Sequence, residues 1–156
     1  MSIRKFNIRP KALTLLLLLV VLFITAAPTV SHAEEMTMSP FKIILNAKGQ
    51  FEDMQAVIRM PLEAGYTLSD YQVSLAFNGT MVGEAISFRY CYIDDNFLAG
   101  FDRAAVLANP VVIGLANTTT TATVEGWFEG VNSEGGTYTQ YFSCTDMVEI
   151  IDPGQK

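Results

Sequence analysis

Tyr71, Val73, Leu75 and Phe77 alternate with Gln72, Ser74 and Ala76. A period of two puts one apolar set on one face of a strand. Asn78-Gly79 follows at once, and this pair suits a two-residue hairpin turn because both residues tolerate positive φ. The chain then returns over 81–93. Ile86, Phe88, Tyr90 and Tyr92 fall on one face, and Ala85, Ser87, Arg89 and Cys91 on the other. Gly83 is a candidate bulge.

The same reading extends outward from this hairpin. Residues 41–47 and 54–60 form short apolar strands, the second closed by Pro61, with 62–70 as a connection. Residues 111–115 form another strand. Along 121–131, Thr123, Glu125, Trp127 and Glu129 share a face. Along 137–151, Tyr138, Phe142, Cys144, Val148 and Ile150 do so. The one helix expected lies near 97–108, with Asp102 as a cap for its second half and Asn109-Pro110 as its stop. About seven strands at short spacing predict an all-β fold. It is a small antiparallel β-sandwich or a partly open barrel, with one short helix.

The amino-terminal fifth of the pattern is different in kind. Arg4, Lys5, Arg9 and Lys11 precede a mostly apolar run from Leu13 to Ile24, and Ser31-His32-Ala33 supplies small residues at a cleavage position. This is the pattern of a secretory signal peptide, with cleavage expected after Ala33. The run is shorter than the roughly 20 residues of a spanning helix. The expected organisation is a leader over 1–33, a flexible segment over 34–40, a single domain over 41–152 and a disordered tail over 153–156. The expected location is periplasmic or extracellular, with no integral membrane segment once the leader is removed.

Setting the leader aside changes the charge. The chain holds 10 Lys and Arg against 16 Asp and Glu. Four of the basic residues and none of the acidic ones precede Glu34, so the remainder carries six against sixteen, a net charge of −10. The six cations are scattered. Neutralising phosphate needs clustered Lys and Arg, so no nucleic-acid partner is expected.

Two cysteines in an exported chain predict one disulfide, Cys91 to Cys144. It would close a loop of about fifty residues and stabilise the fold by about 4 kcal/mol in the chain-entropy picture. The face assignments set a tension against it. Cys144 shares its face with Phe142 and Val148, whereas Cys91 lies opposite Phe88, Tyr90 and Tyr92.

Candidate chemistry is sparse. The single histidine, His32, lies in the leader, so the domain lacks the imidazole of a Ser-His-Asp or Cys-His arrangement. No catalytic constellation and no cofactor are expected. Trp127 between Glu125 and Glu129 can form a sugar platform if the ring is exposed, or belong to the core if it is not. Phe88, Tyr90 and Tyr92 make a second candidate binding surface. Asp94, Asp95, Asn96 and Asp102 are oxygen ligands of the type calcium takes, and equally a turn followed by a helix cap. Function therefore divides into three expectations. The first is a non-catalytic exported domain that binds another macromolecule, as an envelope or surface-structure accessory protein. The second is a small carbohydrate-binding module built on Trp127. The third is a hydrolase relying on carboxylates alone.

Overall fold

The computed structural model describes residues 30–32, 35–39, 42–45 and 54–154. The segment expected to be a leader lies outside the described residues except for 30–32, and so do the last two residues of the expected tail. Among the described residues, nine strands and two short helices follow in chain order: β1 (Val30–His32), β2 (Glu35–Ser39), β3 (Lys42–Ile44), β4 (Met54–Arg59), β5 (Tyr66–Phe77), β6 (Thr80–Cys91), β7 (Asn96–Phe101), α1 (Arg103–Ala108), α2 (Pro110–Gly114), β8 (Thr118–Asn132) and β9 (Thr137–Ile151).

The hairpin that anchors the sequence pattern forms as expected. Asn78 and Gly79 both take positive φ, 48° and 77°. The Asn78 side chain also ties the turn to β8, accepting from the Thr120 hydroxyl at 2.8 Å. From this hairpin the sheet grows in the order β1-β9-β8-β5-β6-β7-β4-β2, with β3 beside β9. The all-β expectation holds. The sheet is mixed rather than purely antiparallel, because β1 and β3 run parallel to β9. It is a single sheet curled into a half-barrel, the more open of the two architectures expected.

Strand β6 makes the curl. Its first half pairs with β5 and its second half with β7. Two register shifts bend it. One lies at Val82, beside the expected bulge at Gly83. The other leaves Ile86 without a partner between Ala85 and Ser87. An extra residue reverses the facing of what precedes it, so Ile86 is exposed while Phe88 is buried. Ile86 therefore leaves the apolar face that strict alternation assigned to it.

Inside the curl lies an aromatic core. Phe88 stacks on Phe97 at 4.9 Å between ring centroids, and Phe128 lies 4.6 Å from Phe97. Phe88 also lies parallel to Phe142 across the barrel. Val73, Leu75, Phe77, Val124, Val148 and Ile150 belong to the same buried cluster. Burying side chains of this size is worth about 1.5–3 kcal/mol each.

The helical segment differs from expectation. Residues 96–101 are strand β7, paired with β4 on one side and β6 on the other. A strand buried on both faces has no polar alternation, so Phe97 to Phe101 resembles a buried helix in sequence. The helix begins only at Arg103, where the Asp102 carboxylate accepts from the Ala105 N–H at 3.1 Å. Residues 111–115 are largely helix α2 rather than a strand. Asn109 caps it by accepting from the Val111 N–H at 2.9 Å, and Pro110 fills the first helical position. Proline at that position begins a helix as readily as it ends one. Asn109 also donates to the Val82 carbonyl at 3.3 Å, pinning the helices to the bulge of β6.

Two further segments are more ordered than the pattern implied. Residues 35–39, read as part of a flexible segment, pair with β4 as β2. Residues 66–70, read as part of a connection, extend β5 along β8 with a register shift at Ser69. Among the described residues no helix is long and apolar enough to cross a membrane.

Candidate functional site

The inward residues of β8, Thr120, Ala122, Val124, Phe128 and Gly130, are buried. The strand period then sends Thr123, Glu125, Trp127 and Glu129 to the outer face. Trp127 is half-buried there, and its indole N–H donates to the Gln72 side-chain oxygen at 3.3 Å. Gln72 is its cross-strand partner on β5, and Tyr141 its partner on β9. Gln72, Trp127 and Tyr141 thus form one row across three strands.

A second row lies beside the first. Ser74 on β5 is opposite Glu84 of β6 on one side and Glu125 of β8 on the other, and Glu125 is in turn opposite Ser143 of β9. The two rows line an open groove of about 360 Å³, together with Met81, Gly126 and Phe142. That volume lies within the range of small-ligand sites. Tyr141 is 38% exposed and Met81 59%, so the groove has large accessible apolar surfaces at both flanks. Among the described residues that line it, the carboxylates are Glu84 and Glu125, and there is no Lys, Arg or His.

Close approach of β5 and β8 shapes the floor. Gly126 lies between Trp127 and Glu125 with φ of 159°, and a Cβ there would collide with the Gln72 carbonyl oxygen. Only glycine lets the two strands meet at this point.

The structure brings together part of the expected residue set. Trp127 and Glu125 are in the groove. Glu129 is on the same face but outside the lining, and its carboxylate accepts from the Ser69 hydroxyl at 3.1 Å. The sequence pattern missed Gln72, Glu84, Ser74 and Ser143, which reach Trp127 only through strand register. Their signal is the alternation along β5, where Gln72 and Ser74 occupy the face opposite Val73 and Leu75.

The second candidate surface does not form as a unit. Phe88 is buried in the core. Tyr90 is half-buried, packs on Phe97 at 4.8 Å and donates its hydroxyl to Asp95. Burial first, and that hydrogen bond second, push its phenol above the ordinary tyrosine value. Tyr92 stands alone as an exposed ring, edge-on to Tyr90 at 5.0 Å.

The oxygen-rich connection is a turn and a cap, not one ligand set. Asp94 and Asp95 lie in the turn before β7, where Asp95 takes a φ of 53°. Asn96 opens β7 and is buried, and Asp102 lies beyond the other end of that strand capping α1. Six residues of extended chain separate the ends by roughly 20 Å. Among the described residues no cluster of three or more His, Cys, Asp or Glu side chains has metal-binding geometry.

The expected disulfide is not formed. Cys91 and Cys144 do not lie at disulfide distance. Cys91 is half-buried near Asp94, at 3.5 Å from its carboxylate. Cys144 is buried with its thiol donating to the Val124 carbonyl at 3.3 Å. The reason is parity. Cys144 is two residues from the inward Phe142, and Cys91 is three from the inward Phe88, with no register shift between them. The two sulfurs point to opposite sides of the sheet wall.

Comparison with known protein families, characterised proteins and solved structures yields no match.

Proposed function

We propose that this chain is an exported, non-catalytic β-domain that binds carbohydrate in the groove around Trp127. The observation that carries the reading is the row of Gln72, Trp127 and Tyr141 on the outer face, with the indole oriented by the amide. Aromatic faces stack on the apolar faces of sugar rings, while amides, hydroxyls and carboxylates at the rim take the sugar hydroxyls. Gln72, Ser74, Glu125 and Ser143 supply such groups. Export rests on the basic and apolar pattern of the leader.

Tryptophan emission titrated against a glycan panel tests this reading. A saturable change with at least one glycan, lost in Trp127→Ala, is the expected result. No change with any glycan would remove the proposal, and release of shortened glycan products would replace binding with hydrolysis. Amino-terminal sequencing of the exported protein, expected to begin at Glu34, tests the leader.

A second reading involves a protein partner, and it rests on different residues. Tyr92 and Ile93, 69% and 93% exposed, project from the turn between β6 and β7. A photo-crosslinker at position 93 that captures the same protein repeatedly in living cells, and not from position 133, is the expected outcome of that reading.

A further inference from the structure

The lattice of side chains on the outer face says more about the ligand than that it is a sugar. From the strand register and the groove lining we infer that the favoured ligand is an oligosaccharide bearing free amino groups, an amino sugar rather than a neutral or acidic one. This deepens the carbohydrate reading and rests on it.

Three observations lead there. The groove is electrostatically one-sided. Glu84 and Glu125 both line it, and no basic side chain among the described lining residues neutralises them. The rest of the molecule does not offset this, since acidic residues outnumber basic ones 16 to 10. A neutral sugar leaves both carboxylates uncompensated, and a uronic acid is repelled.

The two carboxylates also have a defined spacing. Both flank Ser74, one on each neighbouring strand. Two inter-strand steps put their Cα atoms about 10 Å apart. That is the order of the repeat of an extended β-linked disaccharide, so amino groups on alternate units can face both.

The aromatic row completes the match. Trp127 and Tyr141 lie one residue pair along from the carboxylates on the same face. An ammonium group near an indole face is attracted by the ring quadrupole, most strongly at tryptophan. A cationic sugar thus gains at the ring and at the carboxylate together, and a neutral sugar only at the ring.

The test uses the full chain and two probes of equal length, a glucosamine oligosaccharide and its fully N-acetylated counterpart. Both are titrated by calorimetry and Trp127 emission at about pH 6, where a free amine is protonated. Exposed carboxylate–ammonium contacts are individually worth at most a few-fold, so the cationic probe should bind about tenfold tighter. Glu84→Gln/Glu125→Gln, at solvent-exposed positions, should collapse that ratio toward one, and so should raised salt. Circular dichroism and melting confirm that the variant is folded.

Equal affinity for the two probes, with Trp127 still required, overturns the amino-sugar inference and leaves carbohydrate binding standing. No binding of either probe overturns the amino-sugar inference, and the carbohydrate reading falls with it only if the wider glycan panel also leaves Trp127 emission unchanged. A preference for the cationic probe that survives the double substitution places the attraction elsewhere and overturns the site. Oligolysine that matches the glucosamine probe and is equally sensitive to the double substitution shows a general cation groove, and overturns the sugar part of the inference.

Discussion

The rings of Phe88 and Phe142 lie parallel, 5.8 Å apart and within 5° of coplanar orientation. They belong to β6 and β9, the two strands that carry the cysteines. The strands face each other across the interior through phenylalanine rather than through sulfur. Both rings also contact Phe128, so the pair closes the aromatic core between the two walls of the half-barrel.

Removing either ring should be costly. Truncating a buried phenylalanine costs about 3–5 kcal/mol, the transfer loss plus the cavity left behind. Phe88→Ala and Phe142→Ala should each lose that much in urea unfolding. Their double variant should lose less than the sum, because the two share one contact. Strict additivity would show that the stacking carries no coupling of its own.

The thiols should differ in reactivity and in their effect on alkaline stability. Burial pushes the Cys144 thiol up to about 12, so in the folded protein it stays protonated where an unfolded thiol ionises. The unfolded state then gains by releasing a proton above about pH 8.5. Stability from this group is complete below that pH and falls as pH rises toward the folded value, by up to about 1.4 kcal/mol per pH unit. Tyr90 and Tyr138, both raised chiefly by burial, act in the same direction at higher pH. Urea midpoints at pH 8 and pH 10 should show the loss, and Cys144→Val should reduce it. A thiol reagent should label half-buried Cys91 in the native protein and reach Cys144 only on unfolding. Cys91→Ser should abolish the native labelling.

How much of this was legible in the sequence depends on which rule governed each residue. The facing of β8 follows from period two, because Val124 and Phe128 have no competing demand. The Asn78-Gly79 turn follows from backbone sterics. Phe97 to Phe101 was not legible as a strand, since both of its faces are buried and the alternation vanishes. Neither was the reversed facing of Ile86, which comes from a bulge that only pairing with β7 defines. The disulfide expectation failed for a reason the face pattern already contained, the opposite parity of Cys91 and Cys144. In the groove, Trp127 and Glu125 were visible as neighbours along one strand. Glu84 was not, because it meets them across two strand pairings and 41 positions separate it from Glu125.

Asp102 offers a clean test of cap against ligand. Its carboxylate satisfies the Ala105 N–H at the start of α1, and losing such a cap costs about 1 kcal/mol. Asp102→Ala should lower the urea midpoint accordingly, while Asp102→Asn, which keeps an acceptor oxygen, should recover most of the loss. Calcium should shift neither variant relative to the parent. A calcium-dependent rise in melting temperature that Asp102→Asn abolishes would favour a ligand role instead.

Gly126 links the fold to the groove, and comparison with Gly135 separates the two effects. Gly135 lies in the exposed turn before β9 at a φ of 81° with open space around it. Alanine there costs only backbone strain, about 1–2 kcal/mol. At Gly126 the added carbon meets the Gln72 carbonyl oxygen, so β5 and β8 must separate or twist. Overpacking of this kind costs about 1–3 kcal/mol. Gly126→Ala and Gly135→Ala can therefore have similar melting temperatures, yet their effects on Trp127 should differ. Gln72 is both the residue struck by the new carbon and the acceptor of the indole N–H. Displacing it should free the ring, red-shift its emission and weaken glycan binding in Gly126→Ala, while Gly135→Ala keeps the parental spectrum. Identical spectra in the two variants would mean that the approach of β5 and β8 at Gly126 does not position Trp127.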